Sequence, residues 1–521
     1  MAGRVQASSD DEGLDTKKQG AHFVFVPLMT QGHLIPAVDT ALLLAANGAL
    51  CTIVGTPAMT ALLRPTVESA PVRLVDFPLD YARAGLPDGA DSSGSVPAMY
   101  LPSYIGAMAL LRAPVEAYLR DHPPYPTCVV SDFCHPWTSR LARDLGVPRL
   151  SFFSMCAFFL LCQRNVERFD AFNGVEGDDE LVVVPGLEEL ERRVEVTRPQ
   201  ASPLFGAPGL ERLAEDVERA QAEADGVLVN TFLELEPEFV AGYAAASGTK
   251  VWAVGPVSLY HHHQQTLAER GGKKNQQASS GAGVMRWLDE YGGRKPGSVV
   301  YVSFGSLLRP TARQAVELGL GLEASGHPFI WALGGDDEYD EATRNFLREL
   351  EARVAGRGLL LRGWAPQVRI LSHAAVGGFV THCGWNSTLE AVAAGLPVVT
   401  WPHFADQFLN EKMAVEVLRV GVSVGVTEPA AFRMDGKEVV VGRDAVESAV
   451  RSLMDGGEEG DQRRRRAKEL AAKARAATLQ GGSSHTNLLD LVNRFQNKYV
   501  LSAVYGRAVL KVHDDLAEVQ R

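Results

Sequence analysis

Two regions of the chain hold residues whose types and spacing can do chemistry. In the first, Gln31-Gly32-His33 follows an apolar run, His22 to Pro27, that reads as a strand. Asp132 follows a second such run, Cys128-Val129-Val130-Ser131. Parallel strands carry their carboxyl ends to one sheet edge, so the two side chains meet there despite their separation in sequence. An imidazole oriented by a carboxylate is a general base suited to neutral pH; the carboxylate fixes the tautomer and stabilises the imidazolium as it forms. Taken alone, the pair competes with the commoner reading of a strand-end histidine as structural. The second region runs from Trp364 to Gln407. There a strand ending at Thr381 is followed by His382-Cys383-Gly384-Trp385 and by Asn386-Ser387-Thr388, which open a helix over Leu389–Ala394. First-turn N–H groups have no partner inside a helix and sit at its positive end, so this turn suits a phosphate or diphosphate. Asn386 and Ser387 add side-chain donors, with His382 beside them. Plain helix capping by Asn, Ser or Thr is the competing reading. Trp364, before Ala365-Pro366-Gln367, can stack a flat base whose edge Gln367 pairs, or it is a core Trp before a turn. Asp406-Gln407, after Trp401-Pro402-His403-Phe404, suits two adjacent sugar hydroxyls, or it is a surface loop.

Strand–helix alternation supplies the elements that must position these groups. Apolar runs at 22–27, 50–54, 128–130, 148–153 and 226–230 alternate with helical stretches, and Leu34–Asn47 ends at Gly48, a natural C-cap. The polar, Gly/Ser/Gln-rich stretch His261–Gly283 reads as a linker, in which His261-His262-His263 lack a partner in register for a metal. Alternation resumes at 298–303, 329–333, 359–361, 378–381, 397–401 and 422–426. The class is α/β: two parallel sheets covered on both faces, with a ligand cleft between two halves. At 521 residues the length fits two to four domains of ~150 residues.

Composition narrows the function. A net charge of −12 makes the chain a poor wrapper of nucleic acid or anionic membrane. Arg463 to Arg466 accordingly read as a solvated helix face. The six cysteines contain no C-x-x-C pair, which excludes a disulfide framework or zinc site and points to buried thiols in a reducing compartment. Met1–Gly20 is polar and acidic, unlike a signal peptide. The apolar stretch Leu150–Cys162, about a dozen residues, is too short to span a bilayer. These features predict a cytoplasmic monomer without stable membrane insertion. They also set aside the N-glycosylation pattern at Asn386-Ser387-Thr388.

The segment Trp364–Gln407, read in order as WAPQ, HxxxGGFxTHCGWNSTLE, GxPxxxWP and ADQ, closely resembles the donor signature of plant secondary-product UDP-glycosyltransferases. The resemblance extends to Gly32-His33-Leu34-Ile35-Pro36, Val302–Ser306 and Gly481–Ser484, and covers nearly all of residues 20–498. It implies two facing Rossmann-like domains of the GT-B type. An acceptor domain would span 20–255, a linker 256–283 and a UDP-sugar domain 284–480. A helix at 481–498 would cross back to the first domain, leaving a tail at 499–521 without an assigned role. Carried over, Trp364 stacks uracil, Ala365 and Gln367 meet the uridine, and Glu390 holds the ribose. His382, Asn386, Ser387 and Ser306 bind the diphosphate. Trp385, Asp406 and Gln407 face the sugar, and a closing Gln goes with glucose. His33 becomes the base and Asp132 its helper in an inverting transfer from UDP-glucose, a co-substrate, to a small hydrophobic flavonoid, terpenoid, phenylpropanoid or hormone. No resident cofactor is implied. Phe133, Trp137, Phe152, Phe153 and Met155 either line the acceptor pocket or fill the core.

A nicotinamide-dependent dehydrogenase shares such sheets, but the first strand–helix turn, PLMTQGHLIP, lacks G-x-G-x-x-G, and Gly319-Leu320-Gly321 lies inside a helical pattern. A non-catalytic nucleotide-sugar-binding protein, or transfer of another UDP-sugar, remains as the alternative, which retention of His33 and Asp132 disfavours. No D-x-D triplet occurs in the chain. Initial rates with and without a chelator should therefore coincide; a collapse rescued by Mg²⁺ or Mn²⁺ would mean that a cation carries the leaving group.

Overall fold

The structure, a computed structural model, describes residues 20–496 apart from 69, 88–100, 189–192, 202–209, 261–280, 293–294, 307–308, 336–338 and 430–437. The N-terminal extension to residue 19, most of the expected linker with its three histidines, and the tail at 499–521 lie outside the described residues.

The first half builds one parallel sheet from β1 (His22–Val26), β2 (Leu50–Gly55), β3 (Val72–Asp76), β4 (Cys128–Asp132), β5 (Arg149–Phe153), β8 (Gly226–Val229) and β9 (Val251–Ala253), in the order β3-β2-β1-β4-β5-β8-β9. A small antiparallel ribbon, β6 (Val182–Val183) and β7 (Glu195–Val196), stands apart. The second half repeats the plan with β10 (Val299–Ser303), β11 (Phe329–Gly334), β12 (Gly358–Arg362), β13 (Val376–Thr381), β14 (Val398–Thr400) and β15 (Gly421–Ser423), ordered β12-β11-β10-β13-β14-β15. These are two Rossmann-like units of a GT-B fold. The central strands are buried along their whole length, as in β1, β4 and β10. That burial explains their unbroken apolar sequences, since helices cover both faces. Besides the short ribbon strands β6 and β7, two strands of the first sheet escape the sequence pattern. β3 is a half-exposed edge strand with Arg73 and Asp76 in it, and β9 has only three residues.

Each sheet reverses its order beside its first strand, and that crevice is where ligands of open α/β sheets bind. Val26 of β1 pairs with Ser131 of β4, so the turn after β1 opens next to Asp132. In the second sheet Ser303 pairs with Thr381, which sets the turn after β10 beside His382.

A helix at 483–496 returns from the second half and closes the β9 edge of the first sheet. Asn487 Nδ2 donates to the Ala253 carbonyl at 2.9 Å, and Asp490 accepts from Trp252 Nε1 at 2.7 Å and pairs with Lys250 at 2.6 Å. Covering an edge strand in this way removes a template for unwanted pairing. Apolar packing also crosses the halves, because Trp385, Leu389, Leu409 and Met413 join the core of the first sheet. Arg463 departs from the expected solvated face. It is 4 % exposed, bonds the Ser452 carbonyl at 3.0 Å and pairs with Glu459 at 2.8 Å. All six cysteines are buried and free, and among the described residues no helix is long and apolar enough to cross a membrane.

Phe495 is 1 % exposed and meets Phe23 edge-on at 5.7 Å. Phe495→Ala should lower stability by about 3–5 kcal/mol, as for other buried aromatic truncations. Thermal denaturation measures this, and an unchanged midpoint would mean that the returning helix contributes nothing to the first half.

Candidate active site

His33 lies in the first turn of the helix Gln31–Ala46, not at the strand end itself, because that helix starts three residues earlier than the apolar spacing suggests. Its Nδ1 stands 2.7 Å from Asp132 Oδ2, with the Asp side chain fully buried and the His ring 16 % exposed. Asp132 Oδ1 accepts the Cys134 N–H at 3.0 Å, so both carboxylate oxygens are engaged. With Nδ1 held by Asp132, Nε2 is the ring nitrogen left for a substrate proton. Burial opposes the imidazolium most strongly, but the Asp132 charge and hydrogen bond, with Asp406 further away, outweigh it and raise the His33 pKa above 6.5. Burial likewise favours a neutral Asp132, yet His33, His135 and the Cys134 N–H together hold it below the usual carboxylate value. Phe133 stacks on His33 at 5.9 Å and on Phe153 at 4.9 Å, making an apolar wall beside the base. Phe152, by contrast, is core at 1 % exposure.

The turn after β13 has the form of an anion site. Cys383 takes a left-handed φ of 65°, and Gly384 then caps the helix Trp385–Ala394 without any side-chain cap. The cap residue therefore offers no side chain to the first-turn N–H groups, of which the Trp385 N–H is met by the Asp406 carboxylate. His382 is flanked by two glycines: a Cβ at Gly305 would lie 2.7 Å from its Nε2, and one at Gly384 2.4 Å. Burial, then the neighbouring His403, push His382 down to about 3, so it is neutral here. Ser306 is exposed at the mouth of the facing turn.

Other carried-over positions divide into clusters. Trp364 is 36 % exposed at the end of β12, which is the disposition of a stacking platform and not of a core residue. Gln367, whose N–H bonds the Ala365 carbonyl at 2.8 Å, donates from Nε2 to Ser387 Oγ at 3.0 Å and Glu390 Oε2 at 2.8 Å. Burial lifts Glu390 to about 7, against the Gln367 bond. Asp406 is lifted to about 6 by burial, with Asn410 and the Trp385 N–H bonding its carboxylate.

Three side chains carried over to the donor site already have partners within the protein. The Trp385 indole is 2 % exposed and donates from Nε1 to the Asn230 carbonyl at 2.7 Å. Asn386 is partly committed, since its Nδ2 bonds the Gly32 carbonyl and its Oδ1 accepts from Asn230 Nδ2 at 3.2 Å, which leaves one N–H of its amide. Gln407 uses its carbonyl on the N–H groups of His403 and Phe404, at 2.8 and 3.3 Å, which leaves only its NH₂ for a ligand. Sequence reading missed Asn410, which is fully buried and ties Asp406 Oδ2 at 2.6 Å to the Cys383 carbonyl at 2.8 Å. Its i,i+4 spacing from Asp406 was the available signal. It also missed Asn230, which no local pattern marks.

His33, Asp132 and Cys134 bring three potential metal-binding atoms within 4.8 Å of one another, the one such cluster among the described residues. The donor set does not fit a resident ion. Burial and the adjacent Asp132 push the Cys134 thiol well up, away from the thiolate a metal requires.

Gly384→Ala tests the cradle. Crowding at 2.4 Å from His382 should destabilise by ~1–3 kcal/mol and weaken UDP binding. Calorimetric titration beside a melting curve reads both, and wild-type values would show that His382 moves aside freely.

Comparison with known proteins agrees with this geometry. The family model described as UDP-glucoronosyl and UDP-glucosyl transferase matches residues 286–435. UDP-glycosyltransferase 73E1 of Stevia rebaudiana is 44% identical over 483 residues, covering 90% of this chain and 95% of that protein. UDP-glycosyltransferase 73C6 of Arabidopsis thaliana is 42% identical, covering 90% and 95%. The crystal structure of Glycyrrhiza uralensis UGT73P12 complexed with glycyrrhetinic acid 3-O-monoglucuronide superposes with a TM-score of 0.85 at 35% identity, covering 95% of this chain and 99% of that one. That of Medicago truncatula UGT71G1 complexed with UDP-glucose has a TM-score of 0.74 at 25% identity, covering 92% and 99%. Relatives that match at this identity over nine-tenths of both chains, on the same fold, place the chain in the plant family-1 UDP-glycosyltransferases, enzymes that transfer a sugar from a UDP-sugar to small-molecule acceptors.

Proposed function

We propose that the chain transfers glucose from UDP-glucose to a hydroxyl of a small hydrophobic acceptor, with inversion at the anomeric carbon. The observation that carries this reading is the 2.7 Å contact between His33 and Asp132. His33 Nε2 takes the hydroxyl proton as the acceptor oxygen attacks the anomeric carbon. The bond from that carbon to the diphosphate oxygen breaks on the opposite face, so an α-linked donor gives a β-glucoside. Negative charge grows on the departing UDP, and the open end of the helix Trp385–Ala394 meets it with fixed N–H dipoles. Trp364 stacks the uracil, while Gln367 and Glu390 hold the uridine. The Asp406 carboxylate and the Gln407 NH₂ bind sugar hydroxyls, and Trp385 contributes its backbone and not its indole. Neither Trp385 nor Gln407 supplies a cation for a sugar carboxylate, which favours glucose over glucuronate, and Gln407 favours glucose over galactose.

The acceptor meets the Phe133–Phe153 wall beside the base. The relative solved with glycyrrhetinic acid 3-O-monoglucuronide makes large polycyclic alcohols the first class to screen, ahead of flavonoids, phenylpropanoids and hormones.

His33→Ala should lower kcat by about 10²–10⁴-fold, the usual contribution of a general base, with UDP affinity nearly unchanged. The base acts when neutral and its pKa is raised, so kcat/KM should fall with decreasing pH through a value above 6.5. Asp132→Asn should move that limb to lower pH, because the opposing charge is gone. Steady-state kinetics across pH with UDP-glucose, UDP-galactose and UDP-glucuronate in competition provide the measurement. Full turnover in His33→Ala would remove it as the base.

A further inference from the structure

We infer that Asn230 is a positioning residue which holds the donor helix in register with the base, through a polarised chain of amides that crosses from one half of the enzyme to the other. The inference rests on the transfer reading above.

Asn230 follows β8 and is 3 % exposed. Its Oδ1 accepts the Val257 N–H at 3.2 Å, and its Nδ2 donates to Asn386 Oδ1 at 3.2 Å. Asn386 Nδ2 then donates to the carbonyl of Gly32, the residue before His33. The chain ends on one side at a backbone N–H, which can only donate, and on the other at a backbone carbonyl, which can only accept. Both amides are therefore locked in one orientation, and neither can be reversed without placing like groups face to face. The Asn230 carbonyl adds a second tie by accepting the Trp385 indole N–H at 2.7 Å.

Packing around Asn230 excludes slack. A Cβ on Gly255 would come within 2.4 Å of Asn230 Oδ1. The Gly255 N–H donates to Thr231 at 2.7 Å, and Ser484 Oγ of the returning helix bonds the Gly255 carbonyl. The start of the linker and the donor helix thus meet at the Asn230 side chain, and the returning helix holds Gly255 beside it. Asn386 belongs to the first turn of the helix that meets the diphosphate, and Gly32 to the first turn of the helix that carries the base. The amide chain accordingly sets the distance between the atom that removes the proton and the bond that breaks. Small errors in such a distance are expensive for rate, and they leave donor affinity largely intact.

The test uses the full chain with UDP-glucose and any acceptor that the wild type glucosylates. Asn230→Ala should lower kcat by about tenfold or more, with UDP affinity from calorimetry and the acid limb of kcat/KM both at wild-type values. Asn230→Asp keeps the size and the Val257 bond but turns the donor facing Asn386 into an acceptor. It should lose kcat comparably, and this holds the test open if the alanine variant fails to fold. In an Asn386→Ala background the further loss from Asn230→Ala should vanish, because the chain is already cut. Wild-type kcat in Asn230→Asp, or full additivity with Asn386→Ala, would overturn the inference. A shifted acid limb would overturn it too, by tying Asn230 to His33 ionisation instead of geometry. Failure of the wild type itself to transfer glucose would count against the proposed function and not against Asn230.

Discussion

An open helix N-terminus at the strand reversal of the second sheet is the feature on which the site depends. Beyond the Trp385 N–H, which Asp406 accepts, its first-turn N–H groups are a fixed positive potential only while nothing else satisfies them. Several oddities of the turn serve that condition. Gly384 stands at the cap with no side chain to fold back, and Cys383 accepts a left-handed conformation that disfavours any residue with a Cβ. The neutral His382 fits between Gly305 and Gly384, where a larger residue would displace it. Strain of this kind persists only where surrounding contacts hold it, and here Asn410 ties the Cys383 carbonyl to Asp406.

Charge is arranged so that the ionised and neutral groups have separate tasks. Asp132 stays an anion because His33, His135 and a backbone N–H answer its charge inside the core. His33 gains proton affinity from that anion, which makes it a stronger base and also raises the pH below which it is already protonated. Burial pulls Asp406 and Glu390 the other way, up to about 6 and about 7. A carboxyl near its titration point exchanges readily between accepting and donating hydrogen bonds, which suits groups that must meet hydroxyls.

The two halves act as one body through packing and polar ties together. Trp385 and Leu389 insert into the core of the first sheet, while the helix at 483–496 lies over β9 with Asp490 on Trp252 and Lys250. Cys156 of the first half even donates to Asn410 Oδ1 at 3.2 Å, and so reaches the loop that carries Asp406. His33, the loop that carries Asp406 and the turn after β13 are consequently fixed against one another by contacts that no single half contains.

The sequence by itself determined the α/β class, the two parallel sheets and, through its resemblance to a known signature, the donor segment. Its β and α periods are local, and the residues from Trp364 to Gln407 are contiguous, so the resemblance to a donor signature is legible along one stretch. It also brought His33 and Asp132 together, because parallel strands align their ends whatever the loop length. It did not reveal β3 or β9, where an edge position or a short length erases the apolar pattern. Only the tertiary structure decided which atom of each polar side chain is already engaged. Trp385, Asn386 and Gln407 have the right types for sugar and phosphate, yet the indole N–H, the Asn386 carbonyl with one of its N–H groups, and the Gln407 carbonyl are taken by other groups. For Trp385 and Asn386 those partners lie in the other half, far away in sequence. A hydrogen bond depends on where the acceptor sits in space, and no local repeat encodes a contact across two sheets.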